Sequence, residues 1–337
     1  GIDATRDNFG ANGDDDAYRN KSLSLNLSHR FNDDLKIGFS ALDQRGQAEF
    51  EDIFSTSLPS TDFQLSSLSS YIDGNLSEAW NSRLEIGHSE DKRDTGNDQP
   101  NASAFSFYSF NTYRDSVNWV NTLTLNERHQ VLLGADWYED RVNGSENFTE
   151  DSRWNQAAFI QHRYNADHFS TELGLRHDKN QQFGSENSWN AALTVPFNNA
   201  NDLILSYSEG FRAPTFNDLY YPDFCFGGFC SASANPDLEP ETSKSYEAQW
   251  RSRYSETGVL ELSLYRIDLQ DAIVLDQNFI PQNVQTARIN GFEAALKQEL
   301  YGWQGNLALA LIDPRDRDTG HTLARRAKRT LSLDLDR

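Results

Sequence analysis

The sequence predicts an all-β fold, specifically a transmembrane antiparallel β-barrel, on three observations. Apolar residues recur at every second position in many segments, and the connections between these segments alternate in length. In addition, no stretch of the sequence approaches the ~18 consecutive apolar residues that a membrane-spanning helix requires. The 337 residues are 37% hydrophobic with a mean hydropathy of −0.71, as expected where lipid-facing and lumen-facing side chains alternate.

The first observation is clearest where leucines alternate with polar residues. The clearest examples are Leu23, Leu25 and Leu27, then Leu203 and Leu205, then Leu260, Leu262 and Leu264, then Leu307, Leu309 and Leu311, and finally Leu331, Leu333 and Leu335. A strand with one apolar and one polar face has this pattern. About fifteen segments of the sequence read as such strands. A soluble β-sandwich shows the same alternation, so this pattern alone leaves both architectures open.

Connection lengths favour the membrane barrel. Short turns are predicted near 31–34, 76–81, 126–129, 165–167, 198–201, 255–257 and 300–302. Long polar loops are predicted at about 1–18, 43–63, 91–110, 140–152, 178–187, 211–241, 271–285 and 313–325. Short periplasmic turns and long extracellular loops are the connectivity of outer-membrane barrels, and a sandwich has no reason to sort its loops in this way.

The composition restricts the function. A net charge of −21 disfavours a nucleic-acid partner, because phosphate backbones are repelled. Acidic loops either collect divalent cations or keep the loops solvated. The sequence has no His-Glu-x-x-His motif, nucleophile elbow or phosphate loop, so we predict no enzyme activity and no redox or organic cofactor. His88, His162 and His177 lie within strand patterns, and we expect them to line the lumen as polar residues rather than to bind a ligand.

Two further features concern the compartment and the extent of the chain. Cys225 and Cys230 are five positions apart, which predicts a local disulfide in an oxidising compartment and offers too few ligands for a metal site. The sequence contains no methionine and starts at Gly1 without a signal peptide. We therefore expect an internal piece of a longer protein.

One stretch of about forty residues carries a family resemblance. It consists of Ser206–Tyr220, which contains Gly-Phe-Arg-Ala-Pro, then Asn-Pro-Asp-Leu-Glu-Pro-Glu at Asn235–Glu241, then Ser243–Glu247. This arrangement resembles the TonB-dependent outer-membrane receptors. The resemblance implies that residues 1–337 are part of a 22-stranded barrel, with the plug domain and the last strands absent from this sequence. It also implies energised uptake through TonB, which would contact the missing N-terminal plug, and a surrounding of outer-membrane lipid.

Within that family, the sequence is most similar to the cobalamin (vitamin B12) receptors. The similarity is carried by Gly1–Thr5 with the acidic Asn12–Tyr18, by Ala287–Glu293, and by Leu323–Lys328. Cobalamin is therefore the expected cargo. A ferric siderophore receptor, with a lumen richer in Tyr, Arg and His, is the alternative, and a passive porin-like barrel is a further one.

The resemblance also implies site residues. Calcium would be held by Asp3, Asp14, Asp16, Glu51 and Asp62; carboxylates at alternate positions beside Gly13 suit such an oxygen-seeking cation. Phe50 matches an aromatic position that touches ligand in the resembled receptors. Tyr220 and Tyr221 belong to a loop with further aromatic residues, Phe216, Phe224, Phe226 and Phe229. These side chains could form an apolar binding surface, or could instead pack loop against loop.

Overall fold

The computed structural model describes residues 2–7, 16–50, 59–96, 108–323 and 326–337, with the backbone alone for residues 2–7, 16, 224, 226, 284 and 285. Strands dominate these ranges. They are β1 (Ile2–Asp7), β2 (Asp16–Arg30), β3 (Leu35–Glu49), β4 (Ser60–Ser77), β5 (Trp80–Gly96), β6 (Tyr108–Thr124), β7 (His129–Gly144), β8 (Ser152–Asn165), β9 (Ser170–Asn180), β10 (Gly184–Asn198), β11 (Asn201–Arg212), β12 (Phe224–Phe226), β13 (Phe229–Ser231), β14 (Glu241–Ser252), β15 (Val259–Leu275), β16 (Pro281–Leu300), β17 (Trp303–Asp316) and β18 (Arg329–Asp336). A short helix, α1 (Phe216–Tyr220), follows β11. Among the described residues, no helix is long and apolar enough to span a membrane.

Sixteen of these strands form one antiparallel sheet in which each strand pairs with its neighbours in sequence, and β12 and β13 form a separate hairpin inserted between β11 and β14. The predicted fold class is confirmed, and the strand count is close to the predicted fifteen. In the described part of the chain, β1 and β18 are the two edges of the sheet.

Many strands are longer than the 9–11 residues that cross a bilayer. Strand β4 has 18 residues and β16 has 20, so these strands continue beyond the membrane. This extension explains one wrong prediction: residues 178–187 do not form a long loop. Strands β9 and β10 instead continue to a tight turn at 181–183.

The register sorts the side chains onto two faces. Across β2 to β7, the aligned row Leu27, Phe39, Ser70, Ile86, Val117 and Trp137 belongs to the outer face. Large apolar side chains remain exposed on this face, for example Leu175 at 64% and Leu264 at 62%. Such extensive apolar exposure fits a lipid-facing belt. The opposite face carries polar and charged side chains and lines the lumen.

Three histidines were expected to line the lumen, and the register shows that this expectation is wrong. His88 lies opposite Leu68, His162 opposite Val131, and His177 opposite Ala158, all on the face that carries the exposed apolar residues. A one-residue difference in register reverses the face of a strand residue, and the sequence alone does not fix that register.

Candidate functional site

The segment that follows β11 turns inward as a capped helix. Pro214, which cannot donate to a sheet ladder, ends the strand. Thr215 caps α1: its hydroxyl accepts from the Asp218 amide at 3.1 Å, while the Asp218 carboxylate accepts from the Thr215 amide at 2.9 Å. This reciprocal capping box satisfies amides that a helix start leaves free. Phe216 and Leu219 are buried, Leu219 to 1% exposure.

The Asn235–Glu241 stretch attaches this segment to the tips of β15 and β16. The Asn235 amide donates to the carbonyl of Asp218 at 2.8 Å, and its side chain donates to the carbonyl of Pro281 at 3.1 Å. The Asn283 side chain accepts from the Glu239 amide at 2.9 Å and donates to the Glu239 carbonyl at 3.0 Å. The motif that carries the family resemblance therefore works as a clamp between α1 and the neighbouring hairpin.

Glu241 completes that clamp. Its carboxylate accepts from Arg212 at 2.7 Å and from the backbone amide of Ile273 at 2.5 Å. Burial alone would raise the pKa of Glu241, but the hydrogen bonds from Arg212 and Ile273 outweigh it and hold the pKa below its ordinary value. The carboxylate therefore stays ionised and keeps the end of β11 joined to β14 and β15.

A cavity of about 700 Å³ lies between α1 and the luminal face of the strands β3 to β8. This volume is within the range of ordinary ligand sites. The lining combines apolar, charged and hydroxyl-bearing groups. Its inward-facing members include Leu42, Leu65, Asp91, Phe110, Thr112, Arg114, Asp140, Val142, Arg153, Thr215, Phe216 and Asn217.

Charges in the cavity are arranged in one row across three strands. Arg114, Asp140 and Arg153 lie directly opposite one another on β6, β7 and β8. The Arg114 guanidinium forms a bidentate salt bridge with the Asp140 carboxylate, with N–O distances of 2.6 and 2.8 Å. In the described ranges, no carboxylate lies within salt-bridge distance of Arg153. The row lies beyond Trp137, the last outward apolar residue of β7, and burial lowers the pKa of Arg153 there.

A luminal network supports the wall beneath Arg153. Arg176 bonds to both oxygens of Asp136 at 2.7 and 3.0 Å, and to both oxygens of Asp178 at 2.8 and 2.9 Å. Asn155 donates to Asp178 at 3.1 Å and accepts from Asn180 at 3.4 Å. Asn155 and Asp178 are 2% and 3% exposed. Since buried polar groups that are fully paired hold a single arrangement, this network gives the cavity a rigid floor.

The network also positions the turn above it. The side-chain oxygen of Asn180 accepts from the amides of Gln182 and Phe183, at 2.9 and 3.2 Å. Gln182 then donates to the hydroxyl of Tyr220, at the end of α1. The wall, the turn and the helix are therefore joined by hydrogen bonds.

Of the predicted aromatic residues, Phe50, Tyr220 and Tyr221 lie outside the cavity lining. Burial raises the pKa of Tyr108, and its hydrogen bond with Tyr221 raises that pKa further. The Tyr221 ring packs edge to face against the Phe148 ring, with the two centroids 6.2 Å apart. Phe50 follows β3 and is 40% exposed. Tyr220, Tyr221 and Phe50 do not line the cavity, whereas Phe216 and Asn217 of the same predicted loop do.

The sequence did not single out Arg114, Asp140 or Arg153. They are ordinary polar positions in alternating segments, and only the register of three strands shows that they face one cavity together with α1. The one sequence signal was that each lies at a position whose side chain alternation places on the luminal face, and many other polar residues share this property.

The predicted calcium residues are only partly within the described structure. Asp14 and Glu51 lie outside the described residues, and for Asp3 and Asp16 only the backbone is described. Asp3 pairs with Asn20 on β2, whereas Asp62 lies on β4, two intervening strands away. Among the described side chains, no three acidic, His or Cys groups come together as a metal site. The calcium site stays a prediction.

The two cysteines close the hairpin that follows α1. Cys225 and Cys230 pair directly between β12 and β13 and are joined by a disulfide with Cα atoms 4.1 Å apart. Gly227 and Gly228 form the turn with φ of +60° and +85°, a left-handed conformation that glycine adopts without strain.

Comparison with known proteins extends these observations. The family model described as "TonB dependent receptor-like, beta-barrel" matches residues 1–337. The chain is 27% identical over 334 residues to the vitamin B12 transporter BtuB of Vibrio vulnificus, covering 95% of the chain and 51% of that protein. It is 25% identical over 326 residues to the vitamin B12 transporter BtuB of Photobacterium profundum, covering 94% and 51%. The chain thus spans about half the length of the curated relatives it matches.

Solved structures show the same fold at lower identity. The siderophore receptor PirA of Acinetobacter baumannii superposes with a TM-score of 0.76 at 17% identity, covering 95% of this chain and 56% of that one. The copper transporter OprC gives 0.75 at 15% identity, covering 95% and 57%. At such identities the likeness concerns the fold alone.

Proposed function

Since this chain belongs to the TonB-dependent receptor β-barrel family of the bacterial outer membrane, we propose that it is the cargo-receiving barrel of a cobalamin receptor. The observation that carries the proposal is the match to two vitamin B12 transporters along nearly the whole chain. Because the family consists of receptors and transporters, uptake rather than catalysis is the proposed activity.

The geometry supports a receptor that binds cargo at its extracellular end. The cavity lies beyond the lipid-facing belt, between the luminal wall and α1. The capping box, the Asn235–Glu241 clamp and the Arg176 network hold its walls in place before any cargo arrives, which lowers the entropic cost of binding. We propose that cargo is passed inward through the lumen with energy from TonB, acting on an N-terminal plug in the complete protein, and that residues 1–337 are part of its barrel domain.

Calcium belongs to this proposal as an ordering ion of the outer loops. The expected ligands are Asp3, Asp14, Asp16, Glu51 and Asp62. Asp62 is exposed and lies directly opposite Asp94 on the neighbouring strand. Opposed carboxylates destabilise a sheet, and a bound cation would relieve that repulsion.

A ferric siderophore receptor is the second candidate. Arg114 and Arg153 in the cavity and the hydrogen-bonded tyrosines Tyr108 and Tyr221 favour it. These residue types suit an anionic iron chelate, and a siderophore receptor is expected to have a lumen richer in Tyr, Arg and His.

Equilibrium binding to the full-length protein in detergent tests the cargo. Cyanocobalamin and a ferric tris-catecholate would each be titrated in the presence of about 1 mM calcium, a concentration at which extracellular calcium sites are filled. Each titration would be repeated with the calcium chelated. Tight cobalamin binding supports the proposal, and weakening on chelation supports the calcium ligands. Binding of the iron chelate alone would replace cobalamin by the siderophore hypothesis. A passive barrel would be favoured if neither compound bound and if the gene encoded no plug sequence upstream of the barrel.

A further inference from the structure

The guanidinium of Arg153 is held in the cavity by neutral acceptors. Its Nη1 donates to the carbonyl of Pro214 at 3.0 Å and to the side-chain oxygen of Gln182 at 3.4 Å. The Phe216 and Phe183 rings lie 5.1 and 5.6 Å from its Cζ. The side chain is half-buried. These contacts fix the orientation of the group without neutralising its charge.

The row formed by Arg114, Asp140 and Arg153 carries one positive charge more than it neutralises, and this excess charge lies on Arg153. The carboxylate of Asp140 is directly opposite Arg153, but both of its oxygens are taken by Arg114. Two cations therefore share one anion. In the described ranges, the Nε and Nη2 donors of Arg153 have no protein acceptor. A half-buried guanidinium with free donors carries a desolvation cost that a bound anion would offset.

The geometry points to an oxyanion subsite: we infer that Arg153 receives an anionic oxygen group of the cargo inside the cavity, through its Nε and Nη2 edge. This edge of a guanidinium matches two oxygens of one phosphate or carboxylate. Phe216 and Phe110 supply apolar surface beside it. The inference rests on the proposed function and names the cargo chemistry that the cavity selects.

Two cargo classes carry such a group. A corrinoid with its nucleotide attached has a phosphodiester, and the same corrin without the nucleotide has none. A ferric tris-catecholate is anionic, whereas a ferric tris-hydroxamate is not. In each pair one member carries the oxyanion and the other lacks it. The change in affinity from wild type to variant is therefore compared compound by compound, and a loss confined to the oxyanion-bearing member isolates the contribution of Arg153 in that cargo class.

The test compares cyanocobalamin with cobinamide, and the catecholate with the hydroxamate, on the full-length protein in detergent. The variants are Arg153→Gln, Arg153→Lys and the control Arg128→Gln. Arg128 is exposed at the opposite end of the sheet and is paired with Asp167 at 3.1 Å. Affinity is measured by calorimetry or tryptophan fluorescence.

The expected result is selective. Arg153→Gln weakens binding of the oxyanion-bearing member of one pair roughly 10- to 100-fold, as for the loss of charge-assisted hydrogen bonds. It leaves binding of the member without that group unchanged. Arg153→Lys retains part of the preference, and Arg128→Gln retains all of it. The pair that responds identifies the source of the oxyanion.

Other outcomes overturn the inference. Equal losses for both members of a pair mean that Arg153 only supports α1 through Pro214 and Phe216. Unchanged affinity for a cargo that the wild type binds also overturns the subsite while leaving the proposed function standing. Absence of wild-type binding to all four compounds overturns both.

Discussion

Glu241 is the residue at which β11, β14 and β15 are joined beside the cavity. Because its pKa in the folded protein lies below the ordinary value, its contribution to stability is present at neutral pH. That contribution remains until the pH falls past the ordinary glutamate pKa, and it is lost as the pH falls through the lowered value in the folded state.

We predict that the Glu241 carboxylate titrates at a lower pH than an ordinary glutamate. Carbon-13 NMR of selectively labelled glutamate carboxyl groups would follow it, and the resonance absent from Glu241→Gln identifies it. In Arg212→Gln the titration should move upward, because the principal hydrogen-bond donor is gone. A Glu241 signal that titrates at the ordinary value in the wild type would contradict the clamp.

The residues that line the cavity were only partly predictable from the sequence. Of the aromatic residues named in the loop after β11, Phe216 lines the cavity, together with Thr215 and Asn217, whereas Tyr220 and Tyr221 do not. Arg153 was missed because its partners, Gln182, Pro214 and Phe216, are distant in sequence. Their meeting depends on where the 181–183 turn and Pro214 bring the chain, which alternation of residue types does not encode.

At the scale of elements, α1 is short enough that its caps decide its stability. We predict that Thr215→Ala lowers the free energy of opening α1 by about 1 kcal/mol, because it removes the hydroxyl that accepts from the Asp218 amide and donates to the Asp218 carboxylate. Exchange of the Leu219 amide, which donates to the Thr215 carbonyl at 3.2 Å, should accelerate about fivefold. Thr330→Ala, at an exposed position of β18, is the control.

Asp218→Ala removes the other side of the same capping box. The effects of the two substitutions should sum to more than the effect of the double variant, since both remove the bond from the Thr215 hydroxyl to the Asp218 carboxylate. Unchanged protection of Leu219 in both single variants would show that burial of Phe216 and Leu219, rather than capping, holds α1.

The hairpin β12–β13 has three residues in each strand and pairs with none of the other strands that the structure describes, so it is unstable by itself. We predict that the double variant Cys225→Ala, Cys230→Ala opens this hairpin, with a loss of about 2 kcal/mol. Amide exchange should rise at residues 224–231 and stay unchanged in β11 and β14. Faster exchange spreading into β14 would show that the hairpin supports the sheet.

Strand positions were predictable because a lipid-facing surface imposes period-two alternation on each segment. Loop lengths were less so: residues 178–187 read as a polar loop, yet the structure continues β9 and β10 through most of them. Above the membrane both faces of a strand are wetted, so alternation disappears although the ladder continues. Polarity there indicates the edge of the bilayer rather than the end of the strand.

For the whole molecule, the sequence predicted the sheet, its antiparallel order and its membrane surroundings, because one apolar face must repeat on every strand. It did not predict the cavity. The cavity forms where six strands and an inserted helix meet, and no local pattern records that arrangement. The histidine error has the same origin, since the face of a polar residue follows from register.

The division into a lipid-facing and a luminal surface leads to a final prediction. Ile160 is 49% exposed on the outer face of β8, between Leu133 and Leu175 in the middle of the belt. Gln161, the next residue, faces the lumen opposite Leu132 and Gly174. We predict that Ile160→Arg lowers the free energy of unfolding from lipid by roughly 2–4 kcal/mol, the cost of a charge near the bilayer midplane.

Gln161→Arg is the matched control, because it places the same side chain one position away, in a polar lumen. It should change the free energy by less than about 1 kcal/mol. Urea unfolding of the full-length protein from phosphatidylcholine vesicles, followed by tryptophan fluorescence, measures both variants. Equal losses would mean that the two faces are not distinguished by lipid. A larger loss for Gln161→Arg would reverse the assignment of the faces, and with it the placement of the Arg153 row inside the lumen.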